Sequence, residues 1–226
     1  MSTSDACNPH YDDSYFAWQN SNGQLVANLE RWKFISFIKP ADVVLDFGCG
    51  GGHILAGLAC RERYGVEANP VARTEAARVI TVQASIDDLP ADLAFDVIIS
   101  HHALEHVDKP LRELEQLKSR LKPDGKMVFV VPSELWIKQK TYRPGDISQH
   151  LYTWTPLSLG NLFARAGFVV ERAELLRHRT LPKTVLLYPL MPDIVFHICC
   201  RLWATLTRNR QIRIVASKPP DNQVGE

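Results

Sequence analysis

The chain has 226 residues, 46% hydrophobic and 23% charged, close to globular averages, which excludes a disordered chain, a collagen-like repeat and a coiled coil. At roughly 150 residues per domain, this length fits one domain with additions better than two independent ones. Lys and Arg number 26 against 25 Asp and Glu, a formal net charge of +1, so no overall field favours nucleic acid as a partner.

Residues 1–23 read as a polar, aromatic and acidic arm carrying Tyr11, Tyr15, Phe16 and Trp18. Leu25, Leu29, Trp32, Ile35, Phe37 and Ile38 recur at helical spacing and predict a helix over 24–38 that stops at Lys39-Pro40. Val43 to Phe47 is a short apolar strand that runs into glycines and then into a helix through Ile54, Leu55 and Leu58. The pattern repeats with a strand over 63–67, a helix over 70–78 with Pro70 in its first turn, and a β-branched strand over 79–84. A strand over 96–100, a helix over 110–121, a turn at Lys122-Pro123-Asp124-Gly125 and a strand over 127–131 follow. An irregular loop from Pro132 to Thr155 leads to a helix over 156–166 and a strand over 168–171, and the last strand is expected over 211–217. Strands that are unbroken apolar runs, alternating with helices, imply an α/β fold with a largely parallel sheet covered on both faces.

Five cysteines, Cys7, Cys49, Cys60, Cys199 and Cys200, are odd in number and lack metal-ligand spacing. Neither a disulfide framework nor a zinc ribbon is expected, and a reducing, cytoplasmic setting fits best. The N-terminal stretch carries acids where a signal peptide would be basic and then apolar, so no export is expected. The most apolar tract, Leu181 to Leu206, is interrupted by Pro182, Lys183, Pro189, Pro192, Asp193 and Arg201 and is not expected to span a membrane.

The most informative segment is Val43-Val44-Leu45-Asp46-Phe47-Gly48-Cys49-Gly50-Gly51-Gly52, followed by Glu67 at the end of the second strand. Glycines between strand and helix let the backbone turn tightly and approach a ligand, leaving helix-terminal N–H groups to face its polar end. Glu67 stands 19 residues after Gly48, the offset at which a carboxylate accepts hydrogen bonds from ribose hydroxyls. The dinucleotide fingerprint G-x-G-x-x-G fails, because His53 occupies its last position.

The segment resembles the first motif of class I S-adenosylmethionine-dependent methyltransferases, an apolar strand ending in Asp and then G-x-G-x-G: here Asp46, Gly48, Gly50 and Gly52. The resemblance extends over about 24–180. Tyr64 to Pro70 resembles the second motif, Ser85 to Pro90 the adenine-contacting turn, Phe95 to Val107 the fourth motif, and Leu121 to Gly125 with Leu157 to Val169 the later elements. It implies a Rossmann-like seven-stranded, mostly parallel sheet with helices on both faces, in one domain over 24–218, with a 219–226 tail. It also implies S-adenosylmethionine as cofactor. Asp46, Gly48, Cys49, Gly50 and Gly52 would hold its methionine end, Glu67 and Ala68 its ribose, and Ser85, Ile86, Asp87 and His101 its adenine and sulfonium regions. Ser85 departs from the pattern, since many relatives carry there an Asp that receives the adenine amino group; the contact is then lost, weakened to the Ser85 hydroxyl, or moved to Asp87.

His101, His102, Glu105 and His106 follow the fourth strand, at the sheet edge where open α/β folds place their ligands. A histidine has the right unperturbed pKa for a general base near neutrality. On a helical turn His102 and His106 would share a face with Glu105 beside them. The candidate catalytic residues are therefore His102, with His150 as competitor, and His106. His102-Ala-Leu-Glu105-His106 also matches H-x-x-E-H, the inverted zinc-peptidase motif, which needs a further ligand and leaves the glycines unexplained. No metal is assigned, although a divalent cation is another reading of the cluster, as is a structural Glu105–His106 pair. His53 and His197 are expected to be a helix residue and a partly buried or interfacial one.

The chain lacks the Asn/Asp-Pro-Pro that amine methyltransferases acting on nucleic-acid bases carry after strand four, so a small-molecule, glycan or lipid-linked acceptor is expected, with oxygen as the methylated atom. The arm aromatics and Trp136, Tyr142, Tyr152 and Trp154 could wall such an acceptor or simply pack. A non-catalytic cofactor-binding protein and a nicotinamide-dependent dehydrogenase are the alternatives. From Arg177 to Lys218 there are eight Lys or Arg and one acid, Asp193. This basic, apolar insertion at about 178–210 could form a core-packed helix, a lid, a subunit interface, or a peripheral membrane contact through 181–213.

Overall fold

The apolar runs join into one sheet in a computed structural model that describes residues 23–135, 141–144, 146, 148–178, 188 and 190–219. Its strands are β1 (Val43–Phe47), β2 (Glu62–Val66), β3 (Thr81–Gln83), β4 (Phe95–His101), β5 (Leu121–Pro132), β6 (Val169–Leu176) and β7 (Gln211–Ser217), in the order β3-β2-β1-β4-β5-β7-β6. The first five strands pair in parallel, and β7 runs antiparallel to both β5 and β6. This is the Rossmann-like, mostly parallel α/β sheet expected from the sequence.

Alternation along each strand divides the core between the two faces. Val43, Leu45 and Phe47 join Ile98, Met127 and Phe129 in one cluster, closed by Leu114 and Leu117 of α4 (Pro110–Ser119) and Leu159 and Phe163 of α5 (Pro156–Arg165). Val44, Val97, Ile99, Val128 and Val130 face the other way, against Phe34, Leu55 of α2 (His53–Ala56) and Ala76 of α3 (Pro70–Ala76). Phe129, with no exposed surface, stacks on Phe47 and meets Phe163 edge-on; truncating such a residue to Ala costs about 3–5 kcal/mol. Asn69 caps α3, accepting from the amides of Val71 and Ala72, and Pro70 opens the helix where no amide is needed.

Three expectations change. The helix predicted over 24–38 is α1 (Gly23–Glu30) followed by two 3₁₀ turns, Arg31–Lys33 and Ile35–Phe37. The chain tightens because consecutive Lys33 and Phe34 are both fully buried, while Ile35, counted on the apolar stripe, is 57% exposed. Second, the Lys122–Gly125 turn lies inside β5: pairing with β4 jumps from Phe95↔Leu121 to Val97↔Lys126, and Asp124 takes a left-handed φ of 61°. Third, β6 reaches Leu176, well beyond the expected 168–171. Its outer half is an edge strand rich in Glu and Arg, which breaks the apolar signal and discourages edge-to-edge pairing.

The basic insertion contains α6 (Asp193–Thr207). Phe196 and Cys200 pack on Leu29, with Leu25 and Val26 of α1 alongside. No helix among the described residues is long and apolar enough to cross a membrane. The arm aromatics, Trp136 and residues 179–187 lie outside the described residues.

Candidate cofactor and acceptor site

After Phe47 the chain turns back over β2, and the amides of Gly48 and Cys49 both donate to the carbonyl of Val66, at 2.9 and 3.2 Å. Gly48 has φ +72°, and a Cβ there would lie 2.3 Å from that of Ala103, so only glycine fits. Gly50 has φ +54°, and a Cβ there would meet nothing within 4 Å: it borders open space. That space is a cleft lined by the loop, by Asp46 of β1, by Gly23, Val26 and Ala27 of α1, by His53 and Ile54, and by His101.

Glu67 braces the loop from β2. One carboxylate oxygen accepts from Gly50 N and the other from Asn69 N, each at 2.8 Å. An ionised carboxylate offers about four acceptor sites, so two remain for a diol such as a ribose. Burial pushes the Glu67 carboxyl up while its two amide donors oppose the rise. Burial, and then Glu67, pushes Asp46 up to about 8. Two carboxylates held out of water beside a cleft favour a ligand that brings positive charge. S-adenosylmethionine has a sulfonium, an amino group and a ribose, and the residues present fit it. Cys49 lines the cleft, but burial drives its thiol well above the ordinary range, so it is not a thiolate nucleophile.

Of the expected cofactor residues, Asp46, Gly48, Cys49, Gly50 and His101 line the cleft, while Gly52 caps α2 with φ +76° and Glu67 reaches it through Gly50. The turn from Ser85 to Asp88 is occupied with itself. The Ser85 hydroxyl donates to Asp88, which also accepts from Ser85 N, and Asp87 accepts from Gln116 of α4. Ile86 is buried in the core, and Ala68 is exposed beside Asn69.

On the acceptor side, His101 ends β4 and His102 takes a left-handed φ of 56°. Leu104–His106 is a 3₁₀ turn preceded by non-helical Ala103, so the shared α-helical face expected for His102 and His106 does not form. Glu105 is fully buried. Its Oε1 lies 3.5 Å from His102 Nδ1 and 3.9 Å from His150 Nε2. The loop after β5 delivers His150, because Leu151 N and Tyr152 N both donate to the carbonyl of Glu105. The His106 and His150 rings meet edge-on at 4.8 Å, and those of His101 and His102 lie 4.5 Å apart.

Burial raises Glu105 to about 8. It lowers His102 well below its ordinary value, with His101, Lys33, His150 and His106 adding to the fall. Burial, then His150, takes His106 to about 4, and burial lowers His150. The imidazoles are therefore neutral near pH 7, and a neutral ring can accept a proton. One donor atom from each of Glu105, His106 and His150 lies within 4.8 Å of the others, a set able to hold a metal. Tyr152 stacks on Trp154, which is buried, while Tyr142 is 88% exposed. Trp154 therefore packs into the core.

The sequence reading missed a buried polar group behind His101. Lys33 bonds Glu30 and Gln211, and His101 Nε2 lies 3.1 Å from Lys33 Nζ and 3.2 Å from a Glu30 oxygen. Burial, with Lys33 second, holds His101 neutral. The one sequence signal was the i,i+3 spacing of Glu30 and Lys33. Nothing local marks Gln211, 178 residues from Lys33. His197, expected to be partly buried, bonds His178 at 2.9 Å.

A family model described as "Methyltransferase domain" matches residues 18–173. The chain is 34% identical over 99 residues to a tRNA U34 carboxymethyltransferase of Aeromonas salmonicida (strain A449), covering 38% of this chain and 30% of that one. It is 28% identical over 124 residues to a ubiquinone biosynthesis O-methyltransferase of Rickettsia felis, covering half of each. The chain thus spans half or less of the length of these curated relatives. Among solved structures, a chain of the complex between the Haloferax volcanii Trm112 methyltransferase activator and a methyltransferase superposes with a TM-score of 0.70 at 18% identity, covering 93% of this chain and 97% of that one. A SAM-dependent methyltransferase from Archaeoglobus fulgidus gives 0.65 at 20% identity, covering 91% and 100%. With the glycine loop, the braced Glu67 and the β3-β2-β1-β4-β5-β7-β6 order, the match shows that the chain belongs to the class I S-adenosylmethionine-dependent methyltransferase family.

Proposed function

We propose that the protein transfers a methyl group from S-adenosylmethionine to an oxygen of a small-molecule, glycan or lipid-linked acceptor. The observation that carries this reading is the row of side chains leading from the cofactor cleft to a half-buried base: His101 lines the cleft, His102 packs against it, and Glu105 stands behind His102. When bound, S-adenosylmethionine supplies a methyl on an already activated leaving group, so catalysis is largely positioning of the acceptor. Asp46, Glu67 and the Gly48–Gly52 backbone hold and orient it. Neutral His102 takes the proton of an acceptor hydroxyl, and Glu105 orients the ring and stabilises its protonated form.

Likeness to a ubiquinone O-methyltransferase supports oxygen and an apolar acceptor, and likeness to a tRNA-modifying enzyme supports nucleic acid as the rival. The Ser100-His101-His102 sequence at the end of β4, in place of Asn/Asp-Pro-Pro, favours the former. The family match sets the dehydrogenase alternative aside. A peripheral membrane contact through 181–213 belongs to the same reading. Ile194, Ile198, Leu202 and Leu206 form an exposed row on α6, with exposed Arg201 and Arg208 nearby.

The test is labelled methyl incorporation into lysate fractions separated into lipid, glycan, small-molecule, RNA and protein pools. Label in one of the first three, lost in His102→Ala, is expected. Label confined to RNA or protein overturns the acceptor class, and no label in any pool supports a non-catalytic cofactor-binding protein.

A further inference from the structure

We propose that Glu105, His106 and His150 bind one divalent cation of the zinc or cobalt type. A carboxylate with two imidazoles is the donor set such ions prefer, whereas magnesium and calcium take all-oxygen sites. The three donor atoms lie within 4.8 Å of one another. Around a tetrahedral ion with bonds of about 2.1 Å they would stand roughly 3.4 Å apart, so the side chains need close by at most about 1.4 Å.

Two further observations point to a ligand. Glu105 has no exposed surface, and the side chains nearest its carboxylate, His102 Nδ1 at 3.5 Å and His150 Nε2 at 3.9 Å, stand too far off for good hydrogen bonds, an arrangement that native proteins avoid unless a charge partner completes it. The surroundings also hold the ligands in place. The Glu105 carbonyl takes two amides of the loop that carries His150. The Gln149 backbone, next to His150 in the same loop, also engages the His106 ring. Three protein ligands leave the fourth tetrahedral position open to water or to an acceptor oxygen.

The proposal stands apart from the methyl-transfer reading, because ion binding is measured on the full chain with no methyl donor present. After chelator treatment, the chain is titrated with zinc chloride by calorimetry and with cobalt(II), followed by visible absorption. One ion per chain is expected. Glu105→Gln and His150→Ala should each weaken it by about tenfold or more, while His178→Gln, in the other buried histidine pair, should leave it unchanged. Because His150 lies in a loop, its substitution tests the site even where Glu105→Gln does not fold. Absence of saturable binding by the native chain, or binding that survives His150→Ala, overturns the assignment, as does loss of binding in His178→Gln. Ion binding without methyl transfer to any pool would count against the reading of the preceding section and leave this site standing.

Discussion

The cofactor side and the acceptor side of the cleft are built from different materials. From Asp46 to Glu67 the cofactor side spans 22 consecutive positions, and most of its polar groups are backbone, set by β1, β2 and the turn between them. The acceptor side is made of side chains: His101 and His102 from the end of β4, Glu105 and His106 from the turn after it, His150 from the loop after β5, and Lys33 and Gln211 from opposite ends of the chain. A backbone site can keep one ligand while side chains change around it. A side-chain site can be re-cut for a new acceptor without disturbing the methyl donor. The division has the form expected where many acceptors share one donor.

The strongest way to break that division is to substitute one residue on each side. His102→Ala should lower kcat by about 10²–10⁴-fold and leave S-adenosylhomocysteine affinity, read by calorimetry, unchanged. Loss of cofactor affinity in this variant would show that the two sides are not separable. Glu67→Ala should do the reverse, weakening cofactor binding by about 10–100-fold, because it removes acceptors for the ribose and also the partner of Gly50 N. If Glu67→Ala binds as the native chain does, the brace is structural and the ribose is held elsewhere.

The same contrast governs what could be read in the sequence. The cofactor side was legible because its signals are local: a strand, glycines at the positions that need φ > 0, and a carboxylate at a fixed offset. The candidate catalytic histidines were visible as residues, but their arrangement was not. The left-handed φ at His102 and the 3₁₀ turn at Leu104–His106 leave no periodic trace, and His150 is placed by the hydrogen bonds that the next two amides donate to a carbonyl 45 residues away from it in sequence. The helix over 24–38 failed for a related reason. Lys33 is drawn inward by Gln211 and His101, and such a tertiary demand overrides helical spacing. At the adenine turn, the motif located Ser85 but could not show that its hydroxyl is held by Asp88.

A third experiment examines the join between α6 and the acceptor side. His178, 2% exposed, bonds His197 of α6 and meets the edge of Trp32. Burial, then Lys33, His197 and Arg201, lowers His178 to about 3; burial also lowers His197, against the pull of Asp193. A histidine whose folded pKa lies below its unfolded value of about 6.5 stabilises the fold fully above that pH. The contribution is lost as pH falls toward the folded value, because the unfolded chain binds the proton more readily. Thermal midpoints of the native chain should therefore fall more steeply between about pH 6.5 and about pH 4 than those of His178→Phe, which keeps a ring against Trp32. The difference corresponds to a few kcal/mol at most. Parallel curves would mean that the pair does not hold α6 to the body.

The smallest expected effect concerns the outer face of the same helix. Ile194, Ile198, Leu202 and Leu206 are between 49% and 79% exposed, and their four-residue spacing puts them along one side of α6, opposite Phe196 and Cys200, which pack on α1. Because α1 lines the cleft, a lipid surface against α6 would lie one helix away from the bound cofactor, a short path for a lipid-linked acceptor. The stripe alone would give weak partitioning, and Arg201 and Arg208 would add attraction to anionic headgroups. Co-sedimentation of the full chain with anionic vesicles should therefore be partial at low salt and fall further as salt screens the arginines. Leu202→Glu should reduce it by about tenfold while leaving S-adenosylhomocysteine affinity intact. No sedimentation at low salt would remove the membrane from the acceptor side. Binding that Leu202→Glu does not change would place the contact on another part of the basic segment.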